Sequence, residues 1–205
     1  MYLSKIHVSW DQAKNPYDLH RALWKLFPDC QDDKRDFLFR VEKIQTGVGA
    51  DVLMQSIHKP LPNEASLVLV ACREYPMAIK NEQQLRFRLR ANPIKTIKDE
   101  SKGKRERKGR MYTKTVRVPL ITEEQQLDWL HKKLAEVAVL DTVIVQKETP
   151  LYFHKRKVSI RGKIQTACFD GILTVRDSNA FIELIKQGIG PAKSFGCGLI
   201  SLAPT

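Results

Sequence analysis

The chain has 205 residues, 42% of them hydrophobic and 28% charged, with a formal net charge of +12 and a pI near 9.6. That length allows one sizeable core or two small ones, and the cationic excess favours a polyanionic partner, nucleic acid ahead of an acidic membrane. No stretch approaches the roughly 18 apolar residues of a bilayer-spanning helix. The start MYLSKIHVSW alternates and lacks the charged start and apolar run of a secretory signal. Cys30, Cys72, Cys168 and Cys197 are scattered, so neither a zinc site nor a disulfide framework is indicated. A cytoplasmic location with no membrane partner is expected.

Residues 2–8 alternate and read as a strand. Asn15 then Pro16 mark a helix start, with Asn as cap and Pro at the first helical position. That helix is expected to reach Phe27 and stop before Pro28. FLFRVEKI (37–44) and ADVLMQSI (50–57) read as strands joined through Thr46, Gly47, Val48 and Gly49. The stretch 60–83 is punctuated by Pro60, Pro62 and Pro76, and within it SLVLVACREY is apolar enough for a strand. LRFRLRANPIK (85–95) alternates strictly, Leu85, Phe87 and Leu89 pointing one way and Arg86, Arg88 and Arg90 the other. TVRVPLI (115–121) reads as a strand, and Thr122-Glu123-Glu124-Gln125 fits a capping box opening a helix to about Val139. TVIVQK, LYFHKRKV, GKIQTACF and GILTV follow as short strands. Asp177 or Ser178 caps a last helix ending at Gly188, and LISLA (199–203) closes the chain as a strand. This order predicts an α+β protein of two ferredoxin-like domains, 1–83 and 84–205, with antiparallel sheets covered by helices. The first domain shows no second helix.

From Arg86 to Arg117 there are thirteen basic residues against three acidic ones, a local excess of +10. They are Arg86, Arg88, Arg90, Lys95, Lys98, Lys102, Lys104, Arg105, Arg107, Lys108, Arg110, Lys114 and Arg117. Charge this concentrated suits a phosphate backbone. The three strand arginines form a row of donors at fixed spacing. KGKRERKGR (102–110) has no apolar residue and reads as a mobile loop that orders on RNA, or as a solvated loop with no specific contact. His154, Lys155, Arg156 and Lys157, with Arg161 and Lys163 beyond, form a second cluster around a turn between strands, suited to holding RNA or to being a polar hairpin tip.

On the first helix Leu19, Ala22, Leu23 and Leu26 form the core face. Tyr17, Arg21 and Trp24 lie opposite, His20 at the edge and Lys25 on the other flank. Tyr17 and His20 are neighbours three residues apart. An imidazole moves protons near neutral pH, and RNA carries its own nucleophile, the 2′-OH. A phenol can orient the reacting groups and a lysine can stabilise developing charge. A lone histidine on an amphipathic helix is nevertheless most often a surface or packing residue, and Tyr-x-x-His alone is a weak motif.

QGIGPAKSFGCGLISL (187–202) places four glycines between a helix end and a final strand. It is neither a phosphate-binding P-loop nor a dinucleotide fingerprint, and both close packing and RNA approach suit it. This loop resembles the signature of the repeat-associated CRISPR proteins. Together with MYLSK, Y-x-L-H, LWKLFP, RDFLFRVE, FRLRANPIKT, RVPLI and GKIQT, it makes the chain resemble the CasE family of type I-E CRISPR endoribonucleases over nearly its whole length.

The resemblance implies a metal-independent ribonuclease without cofactor. Such an enzyme recognises the stem-loop of CRISPR repeat RNA, cuts at the 3′ base of the stem and stays bound to the product. It would be a monomer when isolated and one copy among the other Cascade subunits. Catalysis would fall to His20 and Tyr17, with Lys25 in support. RNA contact would fall to Arg21, the arginine row, the basic residues from Lys95 to Arg117 other than Lys98, Arg161, Lys163 and the loop's Lys193. Two other readings stand beside it: an RNA-binding subunit that does not cut, and a basic assembly protein.

Overall fold

Eight alternating residues, Tyr2–Ser9, form strand β1, with Ser4, Ile6 and Val8 buried and Lys5 exposed on the other side. A short helix α1 (Trp10–Ala13) leads into α2 (Pro16–Trp24), followed by β2 (Phe37–Gln45), β3 (Gly49–Ser56) and β4 (Leu67–Glu74). The chain, seen here as a computed structural model, is described over residues 1–28, 36–61, 65–107, 110–155 and 160–205. The four strands form one antiparallel sheet of order β2-β3-β1-β4. The apolar face of α2 packs Leu19, Ala22 and Leu23 on it, in one core with Ile6, Val8, Phe37, Phe39, Val52 and Met54.

The second half repeats the plan. Its strand β5 (Gln84–Ala91) is followed by two ribbons, β6 (Ile94–Lys98) with β9 (Thr115–Pro119) and, between them, β7 (Lys104–Arg107) with β8 (Arg110–Thr113). Helix α3 (Glu123–Leu134), β10 (Ala138–Lys147), the hairpin β11 (Leu151–Lys155) and β12 (Ile160–Ile164), β13 (Ala167–Val175), α4 (Ser178–Gln187) and β14 (Ile200–Pro204) complete it. The main sheet runs β10-β13-β5-β14. Both four-stranded sheets therefore place their strands in the order second, third, first, fourth, the ferredoxin-like arrangement. In the second half the helices follow the first and third sheet strands. Among the described residues of the first half, only the first of these two helical connections is present.

Four sequence expectations change in detail. Helix α2 ends at Trp24, three residues early, and its last turn is closed by tighter bonds such as Leu26 N–H to Leu23 O. Helix α3 ends at Leu134 because the apolar run from Ala138 is taken into β10. Two short strands merge into β13, whose Gly171 lets the backbone of Thr142 pass against it. The 102–110 segment, expected as a loop, contributes strands to the β7–β8 ribbon, whose cross-strand bonds need no apolar side chains. Capping follows the sequence: the Asn15, Thr122 and Asp177 side chains accept from the amides of Tyr17, Gln125 and Ala180. No helix among the described residues is long and apolar enough to cross a membrane.

The two halves meet through the face of the first sheet turned away from α2. Phe37, Leu38, Phe39 and Arg40 are consecutive and all buried, which one-sided strand alternation does not produce. Phe37 and Phe39 belong to the core beneath α2, whereas Leu38 and Arg40 face the second half. Leu38 lies against Gly188. Gln55, 3% exposed, donates to the carbonyl of Ile185 at 3.1 Å. The Arg40 guanidinium, on a residue only 5% exposed, reaches Glu42 Oε1 at 2.7 Å, Arg88 O at 2.8 Å and Ser201 Oγ at 3.0 Å. One planar fork thus ties β2 to β5 and β14. Arg40→Ala leaves these acceptors without their donor and is expected to cost about 3 kcal/mol in urea unfolding. Arg40→Lys, with one ammonium for a fork, should recover less than half of that.

Candidate active site and nucleic-acid interface

Helix α2 carries Tyr17, His20, Arg21 and, at its C-cap, Lys25. Its N-cap residue has two tasks. Asn15 Oδ1 accepts from Tyr17 N at 3.3 Å and from His154 N at 3.3 Å. Its amide Nδ2 donates to His154 O and to Asp18 Oδ2, both at 2.9 Å. The primary amide thus completes a strand-like donor and acceptor pair with β11, 139 residues away. It fixes the start of α2 against the hairpin of the second half. The helix also packs on the Lys193–Phe195 turn of the glycine-rich loop.

His20 is half-buried at the edge of the core face, as its helical angle predicts. Its ring stacks on Phe39 (centroids 6.2 Å, planes 23° apart), lies 5.9 Å from Phe37 and meets Trp24 edge-on at 6.3 Å. Three aromatic rings set the plane of the imidazole and restrict its motion. Its Nε2 atom is enclosed, not on the open surface. Tyr17 is half-buried one turn earlier, while Arg21 and Lys25 are exposed.

The hairpin beside α2 has two unlike faces. Phe153 lies over Gly162, its cross-strand partner, where a Cβ would collide with the ring, and packs at a tilt of 42° on Phe195, centroids 4.5 Å apart. The opposite face carries Tyr152 and His154 paired with Lys163 and Arg161. Arg161 and Lys163 are exposed, and Tyr152 is 67% exposed with the Lys163 ammonium 5.9 Å from its ring centroid. Exposed aromatic and cationic groups on a ribbon tied to the helix of His20 make a surface on which RNA can lie.

The other basic residues fall in three places. Lys95, Lys104, Arg105, Lys114 and Arg117 are exposed along the two ribbons between β5 and α3. Lys108 lies outside the described residues, as do the side chains of Lys102, Arg107 and Arg110. The arginines of β5 do project from the side opposite Leu85, Phe87 and Leu89, but the protein itself engages them. Arg88 makes a bidentate pair with Asp170 (2.6 and 3.2 Å), Arg90 bonds Glu148 at 2.7 Å with its side chain 12% exposed, and Arg86 donates to Pro204 O at 3.0 Å. Lys193 is half-buried and its ammonium caps α4 by donating to Gln187 O. The residue that sequence reasoning missed is Asn15, whose cap role was legible but whose reach to His154 was not.

Thiol chemistry is unsupported at Cys168 and Cys197, both buried. Burial pushes Cys168 up to about 11 and Cys197 up to about 12, so neither ionises near neutrality. Among the described residues no cluster of His, Cys, Asp or Glu is placed to hold a metal ion.

Two ferredoxin-like sheets in contact beside a glycine-rich loop, with a histidine helix against a basic hairpin, define the class of this α+β protein. The family model described as "CRISPR associated protein" matches residues 1–204. The CRISPR system Cascade subunit CasE of Escherichia coli (strain K12) is 47% identical over 204 residues, covering 100% of both chains. The crystal structure of the CRISPR-associated protein Cas6e from E. coli K-12 superposes with a TM-score of 0.84 at 45% identity, again over 100% of each chain. Thermus thermophilus Cse3, bound to an RNA representing a pre-cleavage complex, superposes at 0.77 with 28% identity, covering 99% of this chain and 98% of that one. The chain belongs to the CasE family of CRISPR-associated proteins.

The amide clamp can be tested apart from the cap. Asn15→Ser keeps an oxygen for the Tyr17 amide but is too short to span to β11, so the acceptor of His154 N–H and the donor to His154 O are both lost. Hydrogen exchange by NMR should show the His154 amide opening faster with the α2 amides unchanged, at a stability cost of about 1 kcal/mol.

Proposed function

We propose that this protein is an endoribonuclease that processes CRISPR precursor RNA: it binds the stem-loop of the repeat, cuts at the 3′ base of the stem and keeps the product. Support comes chiefly from one juxtaposition. The helix carrying Tyr17 and His20 is bonded through Asn15 to a hairpin whose outer face presents Tyr152, Arg161 and Lys163. A stem held on that face brings its end to His20. The protein then remains as one copy on the guide RNA beside the other Cascade subunits. The two sheets would act as two domains dividing near residue 83.

In the proposed reaction the 2′-oxygen forms a bond to the adjacent phosphorus and the bond from phosphorus to the 5′-oxygen breaks. The products are a 2′,3′-cyclic phosphate and a 5′-hydroxyl. One proton leaves the attacking hydroxyl and one reaches the departing oxygen. The His20 imidazole handles proton transfer, Tyr17 hydrogen-bonds the reacting groups, and Lys25 offsets the negative charge that builds on the phosphate. No metal is needed for this scheme. Arg21, Arg161, Lys163 and the exposed ribbon residues hold phosphates. Arg86 and Arg88, exposed on β5, add phosphate contacts, Arg90 does so from its pair with Glu148, and Lys193 presents the glycine-rich loop to the RNA.

The deciding assay incubates wild type and His20→Ala with repeat RNA in EDTA. Wild type should cut, and the variant should lose about 10²- to 10⁴-fold in rate while still binding. Binding without cutting by wild type would establish an RNA-binding subunit, and absence of binding an assembly protein. Removing Arg161 or Lys163 should weaken binding and lower the slope of log affinity against log salt by about 0.7 to 0.9 per lost phosphate contact. An unchanged slope would remove the hairpin from the interface.

A further inference from the structure

The outer face of α2 extends beyond the groups the cleavage scheme uses. At about 100° per residue, Tyr17, Arg21 and Trp24 lie along one side of the helix, where Trp24 also packs on the edge of the core, and Lys25 follows Arg21 by one turn. Trp24 is half-buried, its indole meeting Phe37 edge-on with centroids 5.2 Å apart and planes at 76°. It also meets the His20 ring edge-on, at 81°. A part-exposed indole whose orientation is fixed by two neighbouring rings is a rigid stacking platform, which costs little entropy to use. Beside it is a hollow of about 320 Å³ lined by Gln12, Asp18, Arg21, Ala22, Trp24 and Lys25. Its rim carries the cations of Arg21 and Lys25 and one carboxylate, Asp18, which accepts from the Asn15 amide.

The axis of α2 gives this patch a direction. Asn15 ties the helix start to the hairpin. At a rise of about 1.5 Å per residue, His20 and then Trp24 lie progressively farther along the axis from that helix start. A strand that leaves a stem on the hairpin and crosses His20 therefore continues toward Trp24. We propose that Trp24, with Arg21, forms a subsite for the first unpaired nucleotide on the 3′ side of the cut, the base stacking on the indole and its 3′ phosphate meeting the Arg21 guanidinium. This rests on the cleavage reading above. The nucleotide belongs to the fragment that departs, so the subsite strengthens the uncut substrate and contributes nothing to the retained product. It is a device for letting go of one half of the RNA while holding the other.

The test varies the RNA before the protein. Two repeat RNAs are made with a 2′-deoxy nucleotide at the cut, which blocks cleavage, one with the natural next nucleotide and one abasic there. A third RNA ends at the cut. Wild type should bind the natural RNA about 5- to 100-fold more tightly than the abasic one, the range that stacking one base supplies. Trp24→Leu should bind both alike, with the affinity for the third RNA unchanged from wild type. Equal affinity of wild type for the natural and abasic RNAs would overturn the subsite, whatever the variant does. A parallel loss of product affinity in Trp24→Leu would also overturn it, making the indole a packing residue for α2. Because binding is read without turnover, failure of the subsite is separate from failure of the nuclease reading, which the 2′-hydroxyl version of the natural RNA reports by being cut or left intact.

Discussion

One guanidinium governs how the two halves of this molecule can be used. Arg40 is buried on the face of the first sheet that does not carry α2, and it reaches a backbone carbonyl of β5 and a hydroxyl of β14 at once. A buried cation is costly unless its donors are met. Here Glu42 supplies the charge and the second sheet supplies the geometry. The arrangement is satisfied only when the sheets are docked in this register. The helix of His20 belongs to one half, whereas the hairpin and the glycine-rich loop belong to the other. Any surface assembled from all three depends on that docking.

Two smaller polar contacts refine what Arg40 sets coarsely. Gln55 reaches the last turn of α4, and Asn15 reaches β11. Each uses a neutral amide against backbone, so each fixes position and adds little charge. This division suits a protein whose surface must remain strongly cationic. The carboxylates Asp170 and Glu148 neutralise arginines near the junction of the sheets, while Arg161, Lys163 and the ribbon residues remain exposed. The net positive field is thereby displaced toward the hairpin and the ribbons, where a phosphate backbone can approach without entering the core.

The alternation of β5 was legible because one face is core and the other is not. Caps at Asn15, Thr122 and Asp177 were legible because they act within three residues. The edge position of His20 followed from helical angles alone. What stayed hidden is what depends on contacts distant in sequence. FLFR at 37–40 reads as an apolar run with an ending charge, yet Arg40 is as buried as the residues before it, because the second half covers it. The arginine row reads as a free cationic face for the same reason: Asp170 and Glu148 lie far along the chain, and nothing local announces them. The ribbon at 104–113 was missed because strand pairing satisfies backbone groups whatever the side chains, whereas sequence patterns register only side chains.

The glycine-rich loop shows why packing and chemistry need not be competing readings of a motif. Gly196 has φ of 79°, a conformation that other residues rarely adopt, and a Cβ there would stand 3.2 Å from Phe39 Cε2. Phe39 is the ring on which His20 stacks. A side chain at 196 would press on Phe39 and, through it, on the imidazole. Immediately before it in the chain, at Lys193–Phe195, the same loop holds Phe195 against Phe153 of the hairpin. The loop therefore touches the helix partner and the hairpin partner of the candidate site from beneath. Its glycines act by being small, and their chemical effect is delivered through aromatic rings that they never replace.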